Sequence, residues 1–175
     1  MKKLSLSELN RISTEEFKQK KKTPLIVILD NIRSMNNVGS IFRTADAFAL
    51  ERLYLCGITA TPPNKEITKT ALGATESVDW EYREDVVALV KELKENGIKS
   101  FMIEQTDHSI MLQDFIPEKG ETIALILGNE VFGVSEELLP EVTAALEIPQ
   151  FGTKHSLNVS IAGGIAIWEI FKKMV

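Results

Sequence analysis

The chain has 175 residues, 44% of them apolar and 26% charged, with a net charge of −5, the balance of one globular domain with a real core. No stretch reaches the roughly 20 apolar residues a bilayer requires, and the longest candidate, Ile161 to Phe171, is short and contains Glu169. The basic N-terminus lacks the apolar run of a secretory signal, and the lone Cys56 has no partner for an internal disulfide, so a cytoplasmic address without a membrane partner is expected.

Residues 1–22 carry seven basic groups against three acidic ones, giving +4, whereas the remainder sums to −9. Overall acidity argues against a protein that grips nucleic acid by electrostatics alone. The basic stretch reads either as a solvated, lysine-rich helical extension or as an arm that meets phosphates. It ends at Lys22-Thr23-Pro24, because Pro24 cannot continue a helix and pushes Thr23 toward extended backbone. Residues 23–175 then form one domain, without repeats or an internal linker.

Leu25-Ile26-Val27-Ile28-Leu29 is apolar without alternation, which suits a strand covered on both faces, as in a parallel sheet. Val38, Ile41, Phe42, Ala45, Phe48 and Ala49 follow helical spacing, with Asn36 or Asn37 as the expected cap. Further strands are expected at Arg52–Cys56, Ile98–Ile103, Thr122–Leu127 and Ala144–Ile148. Helices are expected at Arg83–Glu95, stopped by Asn96-Gly97, at Ser135–Leu139 as a short turn capped by Ser135, and at Leu157–Lys173. Strands alternating with helices indicate an α/β domain whose mainly parallel sheet is flanked by helices. The last helix is apolar or small on every side, so it must be covered all round, by the core or by a second subunit.

Several chemistries lack their residues. Two histidines, His108 and His155, and one cysteine offer no standard zinc spacing, so no metal is expected. Nucleophile-elbow, phosphate-loop and dinucleotide glycine fingerprints are absent.

Three segments stand out instead. In the first, Asn37, Ser40, Arg43 and Thr44 form a polar patch at a strand-to-helix junction, with Arg43 turned away from the apolar face. In the second, Gly128 and Gly133 bracket Glu130 after a buried strand, and Gly permits close approach of a ligand. In the third, Ser156, Asn158 and Ser160 supply more polar groups than one helix cap needs, and an orphaned buried hydroxyl or amide is costly without a ligand. Taken singly, each is also an ordinary turn, cap or solvent-facing arginine.

In order and spacing the three resemble the motifs of the SpoU/TrmH branch of the SPOUT RNA methyltransferases. Asn37 to Ala45 matches N-x-x-x-x-x-R-T-A, Gly128 to Ser135 matches G-x-E-x-x-G-[LVI]-S, and Ile148 to Ala162 matches I-P-x-x-G-x-x-x-S-L-N-V-[SA]-x-A. The resemblance spans residues 25–171 and implies a SPOUT fold with a C-terminal trefoil knot, an exception to the rule that chains do not knot. It further implies a homodimer that binds S-adenosylmethionine and methylates the ribose 2′-hydroxyl of RNA, tRNA ahead of rRNA. Arg43, Asn37, Glu130, Ser156 and Asn158 carry over as catalytic or substrate-positioning residues. Leu127, Gly128, Asn129, Gly133, Ile148, Pro149, Ser156 and Leu157 carry over as the lining of the cofactor site. The hydroxyl proton then leaves late, to water or to a carboxylate such as Glu130, since a guanidinium resists deprotonation. The competing expectation is an RNA-binding or regulatory dimer that keeps the fold with little transfer activity.

Overall fold

Strand β1 (Thr23–Asp30) is buried along almost its whole length because it lies inside a sheet covered on both sides. Leu25, Val27 and Leu29 enter one core layer, while Ile26 and Ile28 enter the other. That explains the absence of alternation in the sequence. In this computed structural model residues 1–5, 8 and 12–175 are described. Leu6, Ser7, Leu9, Asn10 and Arg11, the last counted above in the basic segment, lie outside the described residues.

Among the described residues, the other strands are β2 (Leu50–Cys56), β3 (Trp80–Arg83), β4 (Lys99–Ile103), β5 (Ile110–Met111), β6 (Ile123–Leu127) and β7 (Ala144–Glu147). All pairings are parallel, in the order β3-β2-β1-β6-β4-β7-β5. The chain lays β2 and β3 to one side of β1, crosses over, and later inserts β6 between β1 and β4. The carboxyl ends of β1, β6, β4 and β7 therefore share one edge, where open α/β sheets bind ligands.

Helix α1 (Thr14–Gln19) is closed by a capping box from Ser13 and Glu16 and buries Phe17, over whose ring Lys22 Nζ sits 3.4 Å from the centroid. The end of the basic extension is thus docked on the domain rather than free. Helix α2 (Met35–Ala47) buries Val38, Ile41, Phe42 and Ala45 as expected from their spacing, but its cap is Ser34, not Asn36 or Asn37. The Ser34 hydroxyl accepts the Asn37 amide at 3.3 Å, which starts the helix earlier and frees the Asn37 side chain.

Helices α3 (Lys65–Ala71) and α4 (Ala74–Ser77) fill the segment between β2 and β3 that the periodicity left unassigned. Gly39 lets α2 and α3 approach so closely that a Cβ there would collide with Thr70 Oγ1 and the Ile67 carbonyl. Helix α5 (Val86–Glu95) starts later than the expected Arg83, because Arg83 completes β3 opposite Cys56 and Asp85 supplies the cap. Gly97, at φ +79, ends it. The Ser135 turn is a 3₁₀ helix over Glu136–Leu138, and the Ser135 side chain does not cap it. Helix α6 (Val159–Met174) is capped by Asn158 and buries Gly163, Ala166, Ile167 and Ile170. Cys56 is buried, and desolvation pushes its thiol up to about 12.

Candidate functional site

The turn after β6 is pinned to the end of β1 by buried polar groups. Asp30, fully buried, accepts the Ser135 amide at 2.7 Å and the Asn31 side chain at 2.8 Å. Asn129 donates to the Asn31 carbonyl at 2.6 Å and accepts the Val131 and Phe132 amides at 2.9 and 3.1 Å. Gly133 closes the loop at φ +73, exchanging backbone hydrogen bonds with Asn129. No Cβ fits on Gly128, whose Cα faces the backbone of Gly133 and Val134. The two glycines are thus required by the compactness of the turn.

That turn carries Glu130 to the start of α2. Its carboxylate accepts the backbone amides of Arg33 at 2.9 Å and Ser34 at 3.0 Å, and the Asn37 side-chain amide at 3.0 Å. Asn158 in turn donates to Asn37 Oδ1 at 3.1 Å while its own oxygen caps α6 through the Ser160 amide at 2.9 Å. One chain of hydrogen bonds, Glu130–Asn37–Asn158, therefore joins three distant segments. Partial burial opposes the charge on Glu130, but the donors from Arg33, Ser34, its own amide and Asn37 outweigh it and hold the carboxyl below its ordinary value.

Beside this network opens a cavity of about 380 Å³ at the ends of β6, β4 and β7. Gly128, Asn129, Glu130 and Gly133 of the second motif and Ile148, Ser156 and Leu157 of the third line it, together with Leu127 at the end of β6. Its size falls in the range of small-molecule sites, and polar Asn129, Gln150 and Ser156 share its walls with apolar Leu127, Ile148 and Leu157. Gly163 brings α6 against β6, since a Cβ there would stand 2.7 Å from Leu127 Cδ1.

Three expectations change. Pro149 is exposed and does not line the cavity. Arg43 is exposed on the opposite side of α2, in a groove with Ser40, Thr44 and Lys69, so the polar patch read from the sequence splits into two. Asn37 faces Glu130 on one side, and Arg43 faces that groove on the other. Ser156 and Asn158 are exposed rather than buried, so the argument from orphaned buried groups does not apply to them. Asn158 is fully engaged by its neighbours, whereas the Ser156 hydroxyl has no partner among the described residues.

Glu104 and Gln105 were not anticipated. Glu104 accepts the Val134 amide at 3.1 Å and the Gln105 amide at 2.9 Å, and Gln105 donates to the His155 carbonyl at 3.0 Å. They clamp the Gly133 turn to the Ser156 loop across the cavity. Among the described residues, no cluster of three metal-ligating side chains occurs, and no helix is long and apolar enough to cross a membrane.

Residues 24–168 match the family described as the SpoU rRNA Methylase family. The chain is 30% identical over 152 residues to the 23S rRNA (guanosine-2′-O-)-methyltransferase RlmB of Neisseria meningitidis serogroup B, covering 87% of this chain and 60% of that protein. It thus spans less than two thirds of the curated relatives it matches. A TrmH/SpoU tRNA modifying enzyme from A. aeolicus superposes with a TM-score of 0.79 at 28% identity, covering 91% of this chain and 79% of that one. The AdoMet-bound rRNA methyltransferase from Sinorhizobium meliloti superposes with a TM-score of 0.81 at 27% identity, covering 91% and 60%.

Proposed function

This chain belongs to the SpoU rRNA Methylase family, and from that premise we propose that it transfers a methyl group from S-adenosylmethionine to a ribose 2′-hydroxyl of RNA. The observation that carries the reading is the Glu130–Asn37–Asn158 network, which gathers all three motifs beside one ligand-sized cavity. The same reading takes tRNA ahead of rRNA as substrate, a homodimer as the working state, a knotted C-terminal segment and a cytoplasmic address.

When bound, S-adenosylmethionine supplies a strongly electrophilic methyl group. The residues present fit such a ligand: Leu127 and Ile148 give apolar walls, and the Gly128–Gly133 turn leaves backbone close to the cavity. The protein then has to hold the hydroxyl in line, a contribution of roughly 7–11 kcal/mol where geometry is near ideal. Glu130 is poorly suited to take the proton, because its carboxyl is held low and three donors occupy it. Its work is to fix the turn, Asn37 and the α2 entrance in one arrangement, leaving the proton to water. Ser156 presents an unengaged hydroxyl to the cavity.

Arg43 approaches the reaction from outside the cavity of its own chain, holding an RNA phosphate and the developing alkoxide. Arg43→Lys keeps the charge and loses the planar fork. It is expected to lower turnover by about tenfold or more, equivalent to about 1.4 kcal/mol, with cofactor affinity by calorimetry unchanged. Near-normal turnover contradicts the geometric role.

The separation of Arg43 from the cavity also favours a second reading, an RNA-binding dimer with little transfer activity. Nucleoside mass spectrometry decides between them: incubation with S-adenosylmethionine and tRNA or rRNA yields a 2′-O-methylated nucleoside on the first reading. Failure to bind millimolar S-adenosylmethionine, or binding without any methylated product, supports the second.

A further inference from the structure

The groove on the far side of α2 is positively charged on an acidic molecule. Ser40, Arg43, Thr44, Phe48, Lys69 and Leu72 line it, with no carboxylate. Arg43 and Lys69 have no ion pair among the described residues, and the groove they share offers no carboxylate to neutralise them. The hydroxyls do not offset that charge. Ser40 and Thr44 donate to the α2 carbonyls of Asn36 and Ser40, so the free donors of the groove are the two cations. Two unneutralised cations on facing helices repel each other unless an anion lies between them.

The lip of the groove carries a second anomaly. Leu72 ends α3 in the left-handed conformation, φ +51, with 67% of its surface exposed. A glycine or asparagine would hold that position with less strain.

We infer that this groove between α2 and α3 receives the phosphodiester backbone of the RNA substrate, with Lys69 as a second phosphate contact beside Arg43 and Leu72 as an apolar wall against the sugar. The inference rests on the methyltransferase reading above. Phe48 on the groove wall packs against Trp168 of α6, with ring centroids 5.7 Å apart, so the groove borders the apolar stripe of that helix.

The full chain is titrated with unfractionated tRNA at several potassium chloride concentrations, and separately with S-adenosylmethionine by calorimetry. Lys69→Ala is expected to weaken tRNA binding severalfold and to reduce the salt slope by about one, the signature of a lost phosphate contact. Lys69→Arg restores the slope, and neither variant changes cofactor affinity. Leu72→Asn, which relieves the strained cap, is expected to raise the melting temperature while weakening tRNA binding. An unchanged salt slope in Lys69→Ala overturns the groove while leaving the methyltransferase reading in place. A wild-type chain that binds no S-adenosylmethionine overturns that reading, and this inference with it.

Discussion

Glu130 illustrates how a residue can matter without performing a chemical step. Its carboxylate ties the β6 turn to two backbone amides at the mouth of α2 and to Asn37. Glu130→Gln keeps the shape but turns one acceptor oxygen into a donor facing N–H groups. The expected loss at pH 7 is about 1 kcal/mol, discounted for the residue's partial exposure, or about 2–4 °C in melting temperature. The pH dependence has a definite sign. A carboxyl held below its ordinary 4.5 by native hydrogen bonds contributes stability above that value, and the contribution disappears as pH falls through the lowered native pKa. The gap between wild type and Glu130→Gln should therefore be widest near neutrality and narrow below pH 4.5, as thermal melts at stepped pH would show. A gap that stays constant into acid would mean that shape, not charge, holds the turn.

Two adjacent glycines in α6 make a controlled comparison at the level of an element. Gly163 faces β6, where a Cβ would crowd Leu127, while Gly164 has open space around its Cα. Gly163→Ala should destabilise by about 1–3 kcal/mol through overpacking and weaken cofactor binding, because Leu127 lines the cavity. Gly164→Ala should stabilise the helix by up to about 1 kcal/mol, and denaturant titration with cofactor calorimetry reads both. Equal effects of the two would remove the close packing of α6 on β6 as their cause. The elements legible in the sequence were those whose burial is one-sided or complete over several turns or residues, such as β1, α2 and α6. What escaped was short or at an edge: β3 has four half-buried or exposed residues, β5 has two, and α3 and α4 meet at the Leu72-Gly73 break. The α2 cap was misplaced because Ser34, Asn36 and Asn37 all have capping side chains, and only the observed fold selects Ser34. In the site, the motif residues were legible because their spelling is. Glu104 and Gln105 were not, because they reach the cavity only through the pairing of β4 with β6, a property of strand order rather than of local sequence.

For the molecule as a whole, the question left by α6 is what covers its outer side. The inner stripe Gly163, Ala166, Ile167 and Ile170 is buried, but Ile161, Ile165 and Trp168 remain 55%, 41% and 51% exposed at spacings of four and three residues. One continuous apolar stripe of this kind is the form that a self-complementary interface takes, since two copies related by a two-fold axis cover each other with the same residues. Ile165→Glu places a charge in the stripe without disturbing the Phe48, Trp168 and Phe171 cluster. Sedimentation at micromolar concentration should then find the wild type dimeric and the variant monomeric, with unchanged far-ultraviolet circular dichroism. Arg43 stands outside the cavity of its own chain, so a site completed across that seam predicts that turnover falls with dissociation while cofactor binding persists in the monomer. A wild type that sediments as a monomer would leave the stripe as bare surface. The arginine would then have to reach the reaction through the RNA alone.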